Sequence, residues 1–307
     1  MNDAPQITLK SWLMIATLAF IWGGTFMVTE IALTGVPPFW VASARVGLGA
    51  AVMLGIWALR GFALFAARPS RSQRTALLVL GLLSGAIPFS LLAWGQQYVT
   101  SGFAGVSMAS TALIIVPLAH FLVPGERMTW RRVAGFAVGF VGVAVLIGGQ
   151  AFESTGTSLE PAGRLACLGA ASCYAASSIL MRRLPAVDPI GLATVLLLIG
   201  SLALLPVTLV IEGPPPLPDR HILLALLFLG LVPTATANFM RVLVVRSAGP
   251  VFMSLVNYQV PVWSVVLGSL FLAEPAPPSL FYAMVLILIG VGLSQFGALR
   301  RLFARSG

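Results

Sequence analysis

TALLVLGLLSGAIPFSLLAWG, residues 75–95, carries no charge over a length that crosses a bilayer, and it interrupts its own apolar run with Gly85 and Pro88. A second stretch, ILLALLFLGLVPTATANFM at 222–240, repeats the interruption: GLVP at Gly230–Pro233 follows GAIP at Gly85–Pro88 by 145 residues. Two copies of one interrupted apolar segment decide the fold, once the surrounding chain is read as membrane-embedded and divided into halves.

The composition settles the first point. Of 307 residues, 58% are hydrophobic and 9% charged, and the mean hydropathy is +0.98. A soluble domain carries about 25% charged residues, so this chain lacks the polar surface to cover a core in water. The net charge of +9 does not point to nucleic acid, because the arginines lie between apolar runs without an RNA-binding pattern of aromatics and glycines. Cys167 and Cys173 do not share one face on adjacent turns and read as small membrane-compatible residues, so no metal, redox centre or cofactor is expected. The first apolar run is longer than a signal-peptide core and reads as the first span.

Uncharged runs and turn signals mark ten spans, at roughly 11–31, 38–59, 73–95, 101–123, 131–151, 162–181, 189–211, 222–244, 250–272 and 278–298. Pro38, Pro189, Pro250 and Pro278 fall at span starts, where proline is tolerated. With the N-terminus in the cytoplasm, Lys10 and most of the arginines collect in the inner segments. Only Arg164 and Arg220 fall outside, and Arg45 lies within a span. Both termini are therefore expected in the cytoplasm, at a bacterial inner membrane.

The repeat continues beyond GAIP and GLVP. Glu126 matches Glu274 and Gly142 matches Gly290, each 148 residues on, and WGGTF at 22–26 matches YAASS at 174–178. The chain thus divides into residues 1–150 and 160–307, with five spans each. Because five is odd, the second half threads the membrane in the opposite sense. The expected fold is an all-α polytopic membrane protein, ten transmembrane helices as two inverted five-helix repeats around a central cavity. That architecture places a solute site near the midplane between halves.

Several stretches carry a family resemblance: FIWGGTFMVTE (20–30), ASARVGLGAAV around Arg45, QQYVTSGFAGVSMAS (96–110), VPGERMTWRRVAGFAVGFVGVAVL (123–146) and NYQVPVWSVVLGSLFLAEP (257–275). In this order, the chain resembles the drug/metabolite transporter superfamily of the EamA type, over nearly its whole length. The resemblance implies export of small metabolites from a bacterial cytoplasm, with bacterial aromatic amino-acid exporters as the most similar branch. The usual proline of the fourth span is Leu113 here, with Pro117 four residues on, while the ninth span keeps Pro261.

Candidate site residues follow from depth and chemistry. Trp22, Phe26 and Glu30 recur every four residues on one stripe. A pocket for a flat neutral or zwitterionic solute is mostly aromatic with a few fixed polar groups, which selects Trp22, Phe26, Ser84, Trp94, Tyr174, Asn238, Asn257, Tyr258 and Trp263. A serine or threonine alone more often bonds its own helix, whereas Asn238 and Asn257 need a cavity or a neighbouring helix. Glu30 and Arg45 are candidates for an ion pair or gate, and Pro88, Pro233 and Pro261 for hinges. His120 reads as interfacial. No midplane carboxylate is found, which favours uncoupled export by alternating access. The alternative is a multidrug or nucleobase exporter coupled to protons through Glu30 or His120. A membrane sensor or an intramembrane enzyme is remote: the histidines are far apart and no carboxylates pair within the membrane. The expected partners are a small solute and the lipid bilayer, with the chain a monomer or weak dimer.

Overall fold

In the computed structural model, the described residues are 7–65, 69–122, 129–148, 157–181, 184–185, 187–248, 250–253 and 255–303. They are almost wholly helical, with a single isolated bridge between Phe65 and Val187. The first half contains α1 (Leu9–Leu33), α2 (Pro38–Leu59), α3 (Arg71–Gly95), α4 (Ser101–Leu122) and α5 (Trp130–Gly148). The second contains α6 (Glu160–Met181), α7 (Pro189–Glu212), α8, α9 (Val256–Leu272) and α10 (Pro278–Phe303). Helix α8 is built from Arg220–Leu229, Gly230–Thr236 and Ala237–Ala248. Seven of the described helices are long and apolar enough to cross a bilayer, and α9 and the Pro278–Ser294 part of α10 are shorter apolar helices. Glu126, matched to Glu274 in the sequence, lies outside the described residues.

Local chemistry explains the helix starts. Thr8 with Ser11, and Ser70 with Gln73, form reciprocal side-chain caps ahead of α1 and α3. Asp188 accepts the N–H groups of Ile190 and Gly191 at 3.1 and 2.8 Å, and Pro189 follows it at the first helical position of α7. The expected ninth span at 250–272 is not one continuous helix: a single turn, Pro250–Met253, precedes α9.

The interrupted segments behave alike in the two halves. In α3, Leu82–Ala86 winds as a π-helix, and in α8 Gly230–Thr236 does the same. The π segment of α8 contains Pro233 of GLVP, and that of α3 ends two residues before Pro88 of GAIP. A proline removes a backbone donor, and the wider turn accommodates the disturbance without ending the helix. Pro261 sits inside α9 without a π segment.

The packing is two-fold in pattern. Helix α2 packs on α7, α4 on α9 and α5 on α10, and each pair joins one half to the other. The π segment of α8 packs on α2, as that of α3 packs on α7; α9 packs on α1, as α4 packs on α6. The exchange of partners is what inverted repeats require. Small residues let the backbones meet. A Cβ at Gly23 of α1 would lie 3.1 Å from the Val260 carbonyl oxygen of α9, and one at Gly290 of α10 would lie 2.5 Å from the Gly139 Cα of α5.

The α2–α7 seam is tied along its length. At one end Arg60 pairs with Asp188 at 3.3 Å, and the Asp188 N–H donates to the Leu64 carbonyl at 2.8 Å. At the other end Glu212 accepts the N–H groups of Phe39 and Trp40, at 3.0 and 2.9 Å, at the positive start of α2. Between them lie Ser43–Thr208 at 2.7 Å and a bond from Thr194 to the Met53 carbonyl at 3.2 Å.

Candidate functional site

The π segment of α8 organises the junction of the halves. Its wider turn aims the Thr234 hydroxyl at the carbonyl five residues back, Leu229, at 2.8 Å, where an α-helix would offer the one four residues back. The Thr234 oxygen then accepts from Nε of Arg45 on α2 at 3.1 Å. The Pro233 carbonyl, one residue earlier, accepts the indole N–H of Trp22 on α1 at 3.1 Å. Two side chains of the first half thus satisfy oxygens that the second half turns outward from its irregular helix.

Phe89, just after Pro88 in α3, supplies a second surface for Arg45. The guanidinium carbon lies 4.5 Å above its ring, and the Tyr174 ring of α6 meets Phe89 edge-on at 6.4 Å. Phe26, Thr29, Arg45, Phe89 and Gln96 surround a void of about 10 Å³, room for about one water. Gln96 is 1% exposed and donates to the Phe26 carbonyl at 2.9 Å, fixing α1 against the end of α3. The junction is therefore closed in this conformation. A wider open groove, between Arg71 and Leu180, lies at the other end of α3.

The expected residues divide into three groups. Phe26 is buried and lines the void, and Trp22, Tyr174, Tyr258 and Trp263 pack half-buried against the same core cluster. Trp263 also meets Phe20 edge-on at 5.1 Å, and the Tyr258 hydroxyl is buried without a hydrogen-bond partner. A second group turns back on its own helix: Ser84 donates to the Leu80 carbonyl at 2.6 Å, and Asn238 donates to the Thr234 carbonyl. The third lies apart. Asn257 is exposed, Trp94 pairs with Tyr98 near the end of α3 at 5.1 Å, and His120 is exposed beside Phe121.

Glu30 and Arg45 do not form an ion pair in this conformation. Arg45 turns to Thr234 and Phe89, whereas Glu30 lies beside Gln96 and Glu274, with its Oε2 buried and lacking a hydrogen-bond partner. Glu274 is committed elsewhere: it accepts Ser101 N–H, Ser101 hydroxyl and Gly102 N–H at 2.9, 2.8 and 3.2 Å, capping α4 from the second half. Gln96 and Phe89 are the site residues that sequence reasoning missed. The one signal for Gln96 was its position at the head of the QQYVTSG stretch.

The two-half pattern recurs in comparisons with known proteins. The profile of the EamA-like transporter family matches residues 9–148 and again 161–295. The chain is 24% identical over 299 residues to the uncharacterized transporter YoaV of Bacillus subtilis, covering 95% of this chain and 99% of that one. It is 27% identical to protein PecM of Dickeya dadantii over 83% of this chain and 82% of that one. It is 24% identical to an S-adenosylmethionine/S-adenosylhomocysteine transporter of Chlamydia trachomatis, over 90% and 86%. A crystal structure superposes with a TM-score of 0.66 at 22% identity, over 94% of this chain and 98% of that one, which shows the shared fold.

Proposed function

Because the chain belongs to the EamA-like transporter family, we propose that this multi-pass membrane transporter exports small neutral metabolites, namely amino acids with aromatic or large apolar side chains. It does so across a bacterial inner membrane by alternating access, as a facilitator without a coupling ion, and as a monomer or weak dimer. Its arginine-rich face and both termini are cytoplasmic. The observation that carries the substrate class is the convergence of Trp22, Phe26, Phe89 and Tyr174 on the junction of the halves, beside a few fixed polar groups. Rings supply flat apolar contact, and the polar groups fix orientation. The S-adenosylmethionine of the Chlamydia relative carries an amino-acid end on a large flat nucleoside, so it belongs among the solutes to test.

The decisive assay is counterflow in proteoliposomes with radiolabelled phenylalanine and tryptophan. Saturable exchange, competed by either amino acid but not by a purine or a quaternary amine, is expected. Absence of exchange with every amino acid in the panel removes the substrate assignment. The buried, unpartnered Oε2 of Glu30 favours a second reading, export coupled to a proton carried by Glu30. Acceleration by an inward proton gradient, lost in Glu30→Gln, would establish it over the uncoupled one.

A further inference from the structure

We propose that Arg45 is the anchor for a carboxylate on the transported solute. The inference deepens the reading above and rests on it for the place of the site, though not for the identity of the amino acid.

The argument begins with charge. Arginine is among the costliest residues to place inside a bilayer, and an intramembrane cation is normally paired, turned to water or functional. Two other arginines of this chain show what pairing looks like. Arg60 meets Asp188 at 3.3 Å, and Arg164, 5% exposed, meets Glu160 one turn away on α6. Among the described residues no carboxylate pairs with Arg45. Nor does it reach along its helix to the membrane surface: it turns to Thr234 on α8 and Phe89 on α3, with Tyr174 of α6 near enough to interact with its charge.

The geometry then shows which part of the side chain is committed. A guanidinium has five N–H groups in a planar fork. Nε–H is held by Thr234 and one face lies over Phe89. These two contacts fix the plane, neither η nitrogen has a hydrogen-bond partner among the described residues, and the side chain borders the void lined also by Phe26 and Gln96. A fork oriented at its stem and open at its tip suits a carboxylate, which takes two parallel N–H bonds in that plane. The Thr234 acceptor exists in this position because α8 is a π-helix there, so the irregular turn and the cation belong to one device. In the closed conformation the void is too small for a solute. The carboxylate enters when the two halves part, and it is enclosed when they close again.

The test uses the full chain purified in detergent and two matched pairs of probes: phenylalanine against phenylalaninamide, and benzoate against benzamide. Binding is read by thermal shift and by tryptophan fluorescence. In the wild type, each carboxylate that binds should do so about tenfold or more tightly than its amide. Arg45→Gln should remove that preference, and Arg45→Lys, which keeps charge but not the fork, should retain part of it. Equal binding of acid and amide, a preference that survives Arg45→Gln, or no binding of either carboxylate overturns the proposal. If benzoate is preferred over benzamide while phenylalanine does not bind, the amino-acid reading fails and the anchor stands. If phenylalanine and its amide bind equally, the anchor fails and the amino-acid reading stands. Should Arg45→Gln not fold, the wild-type ratios and Arg45→Lys decide.

Discussion

The π segments of α3 and α8 occupy matching places in the two halves, yet they are held in different ways. In α8 the segment is tied to the opposite half by side chains: Trp22 caps the Pro233 carbonyl and Arg45 leans on Thr234. In α3 the polar side chain of the segment, Ser84, bonds its own helix at Leu80, and the cross-half contact is backbone on backbone, with Gly85 against Gly200 of α7. One inverted repeat thus ties its irregular turn to the other half through side chains, and the other does so through backbone contact. A shared ancestry of sequence explains why both carry GLVP-like motifs. It does not make the two sites equivalent, because the neighbours differ: an arginine and a tryptophan face one bulge, and a glycine faces the other.

Four substitutions break or sharpen this contrast. The largest effect is expected from Gly200→Leu. Its Cβ would sit 3.1 Å from the Gly85 Cα, and the rest of the side chain would drive α3 and α7 apart, an overpacking that costs about 1–3 kcal/mol or more. The yield of monodisperse protein and the melting temperature in detergent should both fall, and wild-type values for both would break the backbone-contact account of α3. Trp22→Phe comes next. It keeps the ring but strands the Pro233 carbonyl, at a cost of about 1–3 kcal/mol, so exchange in proteoliposomes and melting temperature should drop together. Thr234→Val, similar in shape, deletes the acceptor of Arg45 and the donor to Leu229 and leaves a cationic N–H unpaired, a cost again of about 1–3 kcal/mol, read as a fall in melting temperature. Ser84→Ala should be nearly silent, within about 0.5 kcal/mol. If it costs as much as Thr234→Val, the asymmetry between the two segments disappears.

Most of the fold was legible because a bilayer imposes length and hydropathy on every span. The starts at Pro38, Pro189 and Pro278 coincide with helix starts, since proline is already shaped for that position. GAIP and GLVP marked where α3 and α8 deviate from regular helix, but not the form of the deviation. A π turn and a simple proline kink share the same composition, and they differ in which carbonyl each N–H reaches. Pro261 shows the limit, as the same residue type produces no π segment in α9. The break before α9 was likewise invisible in a continuous apolar run.

The candidate site was less legible, for a reason visible in its hydroxyls and amides. Thr25, Ser84, Ser172 and Asn238 all find a carbonyl on their own helix, so mid-span polarity alone does not reveal which way a side chain turns. Arg45 was identifiable as an exception to hydropathy, but its neighbours were not. Phe89 looks like any lipid-compatible aromatic until the fold sets it under a guanidinium. Gln96 looks like a loop residue until its amide is seen to cross to α1.

The glycine ladder between α5 and α10 has a mechanical consequence. With Gly135, Gly139 and Gly290 in direct backbone contact, no layer of side chains separates these two helices, and any lengthwise slip would drive one ridge into another. They come from opposite repeats, so this contact fixes one half to the other without a deformable layer between them. In the alternating access we propose, such a contact is the one about which the halves turn, while the side-chain ties of the α2–α7 seam are the ones that exchange.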